Sequence, residues 1–280
     1  MDDLSTYAEN TWCPGCGNFG ILTAFKNAIV KLEERGIKRE YLAISAGIGC
    51  HAKIFDYLNI NGLYSLHGRG MATIEGMKIA NPELKVIVFT GDGDAMGEGL
   101  IHVLFGAKRN FDMTIIMHNN GVYALTTGQY TPTSQKGWKG PSTPRGNIEE
   151  PFNPLTLVLE AGATFVARAF PGKIKHLMGI IIQAIEHEGF SFIDILQPCV
   201  SYNDTWKIYN KNTTILEKET ENYEEALRLA KERNKLPIGI LYKSKKPVFH
   251  KELYGNLNPV EDSLSREQRI EKINKILNFK

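Results

Sequence analysis

The chain has 280 residues, of which 42% are hydrophobic and 23% charged, and its formal net charge is +2 at pH 7. This length and composition suit a soluble enzyme subunit that buries one sizeable core, for which a single α/β domain is enough. No apolar run is long enough to span a membrane, the N-terminus lacks the regions of a signal peptide, and no basic stripe with interleaved aromatic residues indicates nucleic acid, so we expect a cytoplasmic protein with neither membrane nor nucleic-acid partners.

Hydrophobic periodicity divides most of the chain into short apolar strands and amphipathic helices. The predicted strands cover residues 41–45, 86–90, 113–117, 164–169, 191–196 and 238–242. The predicted helices cover residues 19–35, 69–81, 95–108, 155–161, 173–187 and 223–233, and a last helix begins at residue 265. Such alternation is typical of a parallel sheet with helices on both faces.

One long segment, residues 126–154, is rich in Gly, Pro, Ser and Thr and has little periodicity. Segments of this kind are uncommon inside compact domains unless they serve as lids or binding loops. We therefore expect this segment to contribute to a binding site. The periodic pattern weakens beyond Trp206. We place one domain at residues 1–206 and a C-terminal extension at residues 207–280, packed on that domain or on a partner.

Two of the predicted strands end in residues that suit a metal–diphosphate site. Asp92 lies in Gly-Asp-Gly after the strand at 86–90, and Asn120 follows the strand at 113–117. Because the carboxyl ends of parallel strands meet at one edge of a sheet, we expect the two side chains to lie together. Their oxygens suit Mg²⁺, and Gly93 lets the backbone approach a diphosphate. A structural turn followed by a capped helix is the alternative interpretation.

Two other nucleotide motifs fit less well. Gly91, Gly93 and Gly97 follow a strand and open a helix, as in the dinucleotide fingerprint, but Met96 stands where that motif needs its third glycine. The next strand also ends in two asparagines rather than in the acid that would bind a ribose. A phosphate-loop nucleotide hydrolase is excluded because no Gly-Lys-Ser/Thr occurs.

Gly-Asp-Gly followed by Asn-Asn resembles the thiamine diphosphate enzymes, in which an Asp, an Asn and the carbonyl two residues further on hold Mg²⁺. The corresponding residues in this chain are Asp92, Asn120 and the backbone of Val122. Four further motifs accompany them: WCPGCG at 12–17, IGCHAK at 48–53, LHGR at 66–69 and QPC at 197–199. Together these motifs resemble the β subunit of 2-oxoacid:ferredoxin oxidoreductases over roughly residues 8–206.

The resemblance implies an α/β, parallel-sheet thiamine diphosphate-binding fold, the pyrophosphate-binding domain, with a C-terminal extension. It also implies thiamine diphosphate, Mg²⁺ and one 4Fe-4S cluster as cofactors. The implied cluster ligands are Cys13, Cys16, Cys50 and Cys199. The implied cofactor contacts are Ile48, Gly49, Cys50, His51, Ser65, Leu66, His67, Gly91, Gly93, Asp94, Ala124 and Leu125.

The cysteines give a partly independent check, because all four in the chain fall inside these motifs. Four thiolates are what a cubane iron–sulfur cluster needs. Three other interpretations stay open. Cys13-Pro-Gly-Cys16 could be a thioredoxin-type redox pair. The thioredoxin motif follows a strand, however, whereas only twelve residues precede Cys13 in this chain. The cysteines could bind zinc, although Cys50 and Cys199 are single, or could be inert buried thiols.

The reaction implied by the resemblance is oxidative decarboxylation of a 2-oxoacid, with electrons passed to ferredoxin and the acyl group to coenzyme A. The candidate catalytic residues are His67, Arg69 and Lys53, each with a surface or capping role as its alternative. Only the pyrophosphate-binding domain is recognisable in the chain. We therefore expect an α subunit that supplies the pyrimidine-binding domain and the Glu that activates the aminopyrimidine.

The substrate and two rival functions stay open. Lys53 could pair with the distal carboxylate of 2-oxoglutarate. Many relatives, however, carry Gly at the position of Ala124 and Lys or Gly at the position of Thr127, and these differences put a dicarboxylic substrate in doubt. We expect 2-oxoglutarate or pyruvate, with branched-chain 2-oxoacids as a further option. The rival functions are a non-oxidative thiamine diphosphate decarboxylase or carboligase subunit and a zinc-stabilised interaction module.

Overall fold

The structure is a computed structural model that describes residues 4–255, 257–261 and 263–277. Eight strands form the main sheet, in the order β2-β1-β3-β4-β8-β7-β10-β9, and β5 and β6 form a separate hairpin. The strands are β1 Leu42–Ala46, β2 Gly62–Tyr64, β3 Lys85–Gly91, β4 Met113–Asn119, β5 Val122–Tyr123, β6 Gln129–Tyr130, β7 Phe165–Ala169, β8 Phe190–Leu196, β9 Thr213–Ile215 and β10 Leu236–Lys243.

Helices cover both faces of the main sheet. One core cluster joins residues of α1 and α5 to the sheet, and a second joins residues of α2, α3, α4 and α7 to it. The helices are α1 Asn18–Glu34, α2 Gly70–Ala80, α3 Leu100–Lys108, α4 Pro154–Glu160, α5 Ile174–Glu186, α6 Trp206–Asn212, α7 Tyr223–Lys231, α8 Phe249–Tyr254 and α9 Arg266–Leu277. No described helix is both long and apolar enough to cross a membrane.

The central strands are buried on both faces, which explains their composition. All seven residues of β8 and six of the seven in β4 are buried, and Ile, Phe, Met and Leu make up most of the two strands. Each fully buried Ile or Phe side chain stabilises the fold by about 1.5–3 kcal/mol through removal of apolar surface from water. The predicted α/β parallel-sheet fold is therefore confirmed, and β10 adds an antiparallel pairing, to β7.

The structure corrects several predicted elements. The helix predicted at 95–108 is a π-helical turn, Gly93–Glu98, followed by the regular helix α3. Gly99 separates the two, and a Cβ at this position would lie 2.8 Å from the carbonyl oxygen of Gly68. The two backbone segments pack closely at Gly99, where the π-helical turn ends and α3 begins.

Other differences concern short or irregular segments. The IGCHAK motif, which lies outside the predicted strands and helices, contains the start of a 3₁₀ helix, Cys50–Tyr57. Helix α6 and strand β9 are not indicated by the sequence, because neither shows a clear apolar period. Strand β10 belongs to the C-terminal extension and lies inside the main sheet, between β7 and β9. This part of the extension therefore packs directly on the domain.

Candidate active site

A cavity opens at the carboxyl ends of β1, β3 and β4, where open parallel sheets bind ligands. Its volume is ≈ 460 Å³, including space open to solvent. We call it the cofactor cavity. It brings together the predicted Mg²⁺ residues and most predicted cofactor contacts, and adds Tyr123 and Thr126. The lining residues are Ile48, Gly49, Cys50, His51, His67, Gly91, Asp92, Gly93, Asp94, Asn120, Val122, Tyr123, Ala124, Leu125 and Thr126.

Asp92 and Asn120 meet as the βαβ spacing predicts. The backbone N–H of Asn120 donates to Asp92 Oδ1 over 3.2 Å, and Asn120 Oδ1 accepts the N–H of Val122 over 3.0 Å. The hydroxyls of Thr131 and Thr133 donate to Asp92 Oδ2 over 2.5 and 2.6 Å. These threonines come from the segment 126–154, so that segment does contribute to the site.

Burial raises the pKa of Asp92 above its usual value, and the Thr131 and Thr133 hydroxyls only partly oppose this effect. The residue is 1% exposed, and its hydrogen-bond donors are hydroxyls and a backbone N–H. A carboxylate buried in this way is poorly compensated, because neutral donors offset only part of the cost of removing a charge from water. A divalent cation at Asp92 would supply the missing charge.

Asp94 joins two loops beneath the cofactor cavity. Its Oδ1 accepts the backbone N–H of Gly68 over 2.6 Å and that of Ile48 over 3.2 Å. Burial alone would raise its pKa, but the contact with His51, the Thr90 hydroxyl and the Gly68 N–H together lower that pKa. Asp94 is therefore a buried carboxylate whose partners are supplied by the protein itself.

Two histidines flank Asp94. His51 Nε2 lies 3.5 Å from Asp94 Oδ2, and His67 Nδ1 lies 3.2 Å from Asp94 Oδ1. His51 is buried, whereas the His67 side chain is 35% exposed and lines the cofactor cavity. Neither contact is an aligned hydrogen bond, because His51 Nε2 and His67 Nδ1 have no hydrogen-bond partner among the described residues. The structure therefore places His67 beside a carboxylate at the cavity, and its catalytic role stays a prediction.

The other predicted residues of the 65–69 segment do not line the cofactor cavity. Ser65 Oγ pairs with Thr73 Oγ1 over 2.9 Å, and Leu66 is 75% exposed. Arg69 donates from Nη1 to the carbonyl of Glu98 over 2.7 Å. The guanidinium therefore joins this segment to the π-helical turn, and this contact corresponds to the capping role that was the alternative for Arg69. The roles of Ser65, Leu66 and Arg69 at the cofactor stay predictions.

All four cysteines line a second space, which we call the cysteine cavity. Its volume is ≈ 420 Å³, including space open to solvent, and it lies beside the cofactor cavity because Cys50, Asn120 and Ala124 line both. The lining residues are Thr11, Trp12, Cys13, Cys16, Asn18, Cys50, Lys53, Asn120, Ala124, Gln197, Cys199, Val200 and Ser201. The cysteines are free thiols.

Burial raises the pKa of Cys16 to about 11 and also raises that of Cys50, where nearby Lys53 partly opposes the shift. Reactive thiols in thioredoxin-type pairs have a lowered pKa instead. Within the described ranges, no three His, Cys, Asp or Glu side chains come close enough to hold a single metal ion. The four cysteines line one space, and the cluster and zinc interpretations both stay predictions.

Polar contacts order the cysteine cavity and connect it with the cofactor cavity. Ser201 Oγ donates to Cys13 Sγ over 3.2 Å, and Trp12 Nε1 donates to the carbonyl of Cys50 over 2.6 Å. Gln197 lies between the two cavities. Its Oε1 accepts from Asn120 Nδ2 over 2.9 Å, and its Nε2 lies 3.6 Å from Cys16 Sγ. Gln197 thus connects a predicted Mg²⁺ ligand with a predicted cluster ligand.

Lys53 lies at the cysteine cavity rather than among the residues that line the cofactor cavity. Its Nζ donates to the carbonyl of Thr11 over 3.4 Å. A substrate role for Lys53 stays a prediction.

Comparison with known proteins decides the family. Residues 47–195 match the model of the thiamine pyrophosphate enzyme, C-terminal TPP binding domain, and residues 199–256 match the model of the C terminal of the pyruvate ferredoxin oxidoreductase beta subunit. The 2-oxoacid:ferredoxin oxidoreductase subunit beta of Sulfolobus sp. is 41% identical over 95% of this chain and 93% of that protein. The chain belongs to the 2-oxoacid:ferredoxin oxidoreductase β-subunit family.

Two further members of the 2-oxoacid:ferredoxin oxidoreductase group are similar to this chain. The 2-oxoglutarate oxidoreductase subunit KorB of Mycobacterium tuberculosis is 42% identical over 72% of this chain and 53% of that protein. A solved structure of 2-oxoglutarate:ferredoxin oxidoreductase from Magnetococcus marinus, with 2-oxoglutarate, coenzyme A and succinyl-CoA bound, has a TM-score of 0.85 and 36% identity. The match covers 99% of this chain and 90% of that one.

Asp94→Asn is expected to loosen the two loops that form the floor of this β subunit's cofactor cavity. The partners of Asp94 lower its pKa against the effect of burial, so removal of the negative charge weakens the hydrogen bonds that it accepts from the two amides, by about 1 kcal/mol each. We expect faster hydrogen exchange at the amides of Ile48 and Gly68 and a lower unfolding temperature. Thr90→Val, which removes only one donor to Asp94, is the control and should change the amide exchange and the unfolding temperature less. Unaltered exchange at the two amides in Asp94→Asn would contradict this role.

Proposed function

We propose that this chain is the β subunit of a coenzyme A-dependent 2-oxoacid:ferredoxin oxidoreductase. The reaction converts a 2-oxoacid, coenzyme A and two oxidised ferredoxins into acyl-CoA, CO₂, two reduced ferredoxins and a proton. One observation carries the proposal: the cysteine cavity and the cofactor cavity share a wall that contains Cys50. Electrons released at the cofactor would therefore have a short path to a cluster.

The residues of the cofactor cavity fit Mg²⁺ and thiamine diphosphate. Asp92, Asn120 and the backbone of Val122 would hold Mg²⁺, and the buried charge of Asp92 supports this assignment. Bound thiamine diphosphate would supply a centre that stabilises a carbanion. Gly93 lets the Tyr123 ring pack directly against the backbone at the cavity, since a Cβ there would lie 2.1 Å from Tyr123 Cε1. His67, which lies beside Asp94, would donate or accept a proton at the cavity surface.

The residues of the cysteine cavity fit a 4Fe-4S cluster. Cys13, Cys16, Cys50 and Cys199 would each provide one ligand, and the Ser201 contact to Cys13 would stabilise negative charge on that sulfur. Binding to iron would also hold Cys16 as a thiolate, although burial makes the free thiolate unfavourable. We expect about four iron atoms and four acid-labile sulfides per chain after anaerobic purification.

An α subunit would complete the active site. Apolar side chains at and beside the mouth of the cofactor cavity are exposed, among them Leu66 at 75%, Leu125 at 45% and Ile48 at 37%. Such a patch suits burial against another protein surface. We propose that this patch is buried under the α subunit, which also supplies the pyrimidine-binding domain and the activating Glu.

The test is activity with and without that subunit. The isolated chain should not reduce ferredoxin with any 2-oxoacid, whereas the complex with its α subunit should do so in a coenzyme A-dependent reaction. Rates for the isolated chain that equal those of the complex would refute the need for a partner. A complex that releases CO₂ without reducing ferredoxin would instead support the non-oxidative alternative.

The proposed substrate is 2-oxoglutarate or pyruvate, and Lys53→Ile is the variant that separates them. If the ammonium pairs with a distal carboxylate, its loss costs about 1.5–3 kcal/mol, or about ten- to a hundredfold in KM for 2-oxoglutarate. The KM for pyruvate, which lacks that carboxylate, should stay within about twofold. Steady-state kinetics of the complex with both substrates give the measurement.

The control for Lys53 keeps its charge. Lys53→Arg should retain most of the preference for 2-oxoglutarate, because the cation is preserved. Equal changes in KM for both substrates in Lys53→Ile would remove this residue from substrate selection. Lys53 would then act only through its charge beside Cys50.

A further inference from the structure

The side chain of Gln197 is buried between the two cavities, and the residue is 1% exposed. Gln197 directly follows β8, and its backbone N–H donates to the carbonyl of Asn119, the last residue of the neighbouring strand β4, over 2.9 Å. The side chain is therefore held at the carboxyl ends of two adjacent strands. Asn120, a proposed Mg²⁺ ligand, lies at the same place.

The Gln197 amide has a defined direction. Its Nε2 donates to the carbonyl of Pro198 over 2.5 Å and lies 3.6 Å from Cys16 Sγ, within hydrogen-bond distance of a sulfur. The NH₂ group has two hydrogens and can serve both acceptors. Its Oε1 faces a donor, Asn120 Nδ2, over 2.9 Å. A reversed amide would place its oxygen against a carbonyl and a sulfur, so the surroundings allow one orientation.

This direction determines the orientation of the Asn120 side chain. Because Gln197 Oε1 can only accept, Asn120 turns its NH₂ group toward Gln197 and its Oδ1 away from it. That oxygen accepts the N–H of Val122 over 3.0 Å and keeps a second lone pair for a cation. A reversed Asn120 amide would turn its NH₂ group toward the metal site, where Mg²⁺ requires an oxygen.

Asn203 holds Asn120 by a different contact. Its Nδ2 donates to the backbone carbonyl of Asn120 over 2.7 Å, and its backbone exchanges two hydrogen bonds with Cys199, over 2.9 and 3.2 Å. Among the described residues, no hydrogen bond joins the Asn203 side chain to a cysteine sulfur. Asn203 therefore contacts the backbone at Asn120 but does not set the direction of its side-chain amide.

We propose that Gln197 is a positioning residue that serves both cofactors. It orients the Asn120 oxygen toward Mg²⁺ and donates a hydrogen bond to the cluster ligand Cys16. This inference rests on the proposed function, because it requires that Mg²⁺ and the cluster are bound. Replacement of a residue that orients a metal ligand typically lowers metal affinity about 10- to 100-fold. A hydrogen bond to a ligand sulfur favours the more negative, reduced state of a cluster.

Gln197→Met in the αβ complex tests both roles. Methionine has a similar length but neither a strong donor nor a strong acceptor. The Kd for thiamine diphosphate at fixed Mg²⁺, measured by calorimetric titration, should rise about 10- to 100-fold. The reduction potential of the cluster, measured by potentiometric titration followed by electron paramagnetic resonance, should fall. Iron content should be unaltered, because all four cysteines remain.

Three further variants separate positioning from a general loss of structure. Gln197→Glu keeps the shape and an oxygen that accepts from Asn120, so it should retain most of the thiamine diphosphate affinity even if Gln197→Met fails to assemble. Ser201→Ala removes a hydrogen bond to Cys13 Sγ and should lower the potential without weakening thiamine diphosphate binding. Asn203→Ala should leave the potential unaltered and raise the Kd less than Gln197→Met does.

The result on the unmodified complex separates this inference from the proposed function. An iron-free complex, or one that does not bind thiamine diphosphate, would overturn both. If the unmodified complex holds both cofactors, three results would overturn the role of Gln197 alone. These are unaltered thiamine diphosphate affinity in Gln197→Met, an unaltered potential in that variant, and a loss of affinity in Gln197→Glu as large as that expected for Gln197→Met.

Discussion

Asp92→Asn is expected to weaken the binding of thiamine diphosphate and Mg²⁺ by on the order of a hundredfold or more, because it removes the only carboxylate among the proposed Mg²⁺ ligands. The same change should not destabilise the ligand-free chain. Asp92 is buried with neutral donors around it, and burial raises its pKa, so removal of the charge relieves a cost. Calorimetric titration of thiamine diphosphate at fixed Mg²⁺, together with thermal unfolding of the ligand-free chain, measures both effects.

Asp112→Asn is the matched control, because Asp112 is also buried but has a cationic partner. Lys78 Nζ lies 2.7 Å from Asp112 Oδ2, and although burial opposes it, this contact lowers the pKa of Asp112. Loss of that charge leaves a buried lysine unpaired, so the variant should unfold at a lower temperature but bind thiamine diphosphate normally. Equal affinity for thiamine diphosphate in Asp92→Asn and the unmodified chain would refute the Mg²⁺ assignment.

The proximity of Asp92 and Asn120 is the part of the candidate site that could be predicted from the sequence. The runs before Gly91 and Asn119, at 86–90 and 113–118, are buried throughout and rich in Val, Ile and Met, as expected of strands covered on both faces. The topology of a βαβ unit then brings Asp92 and Asn120 to one edge. Their proximity could therefore be predicted from spacing alone. The hydroxyls of Thr131 and Thr133 could not, because they come from a segment with no hydrophobic period.

The directions of the Asp94 and Arg69 side chains could not be predicted from the sequence. The family resemblance implies that Asp94 and Arg69 act at the active site. In the structure Asp94 accepts from the amides of Ile48 and Gly68, and Arg69 donates to the carbonyl of Glu98. These contacts depend on a π-helical turn and on close packing of two backbones at Gly68 and Gly99. Neither feature leaves a periodic signal. A polar residue in a loop beside a binding site can thus either contact the ligand or stabilise the loop, and the sequence does not distinguish the two roles.

The connection through Gln197 could be predicted only in part. The QPC motif places Gln197 near Cys199, but its amide also reaches Asn120, which is distant in sequence. Because strands β4 and β8 are neighbours, their carboxyl ends bring the two side chains together. The contact between Gln197 and Asn120 is therefore a consequence of strand order, which the sequence alone does not fix.

Cys199→Ala is expected to abolish cluster assembly and electron transfer while leaving the cofactor cavity intact. Cys199 is buried and lines the cysteine cavity but not the cofactor cavity. A cubane cluster needs four ligands, so iron should fall from about four atoms per chain to near zero. Ferredoxin reduction by the complex should be lost, whereas thiamine diphosphate affinity should stay within about threefold, because Asp92 and Asn120 are unaltered.

Ser201→Ala is the graded control for this prediction. It removes the hydrogen bond to Cys13 Sγ but no ligand, so iron content should be unaltered. The reduction potential of the cluster should fall, because a hydrogen bond to a ligand sulfur favours the more negative, reduced state. Potentiometric titration followed by electron paramagnetic resonance measures the shift. Zinc in place of iron in the unmodified chain would refute the cluster, and full iron content in Cys199→Ala would remove Cys199 from its ligands.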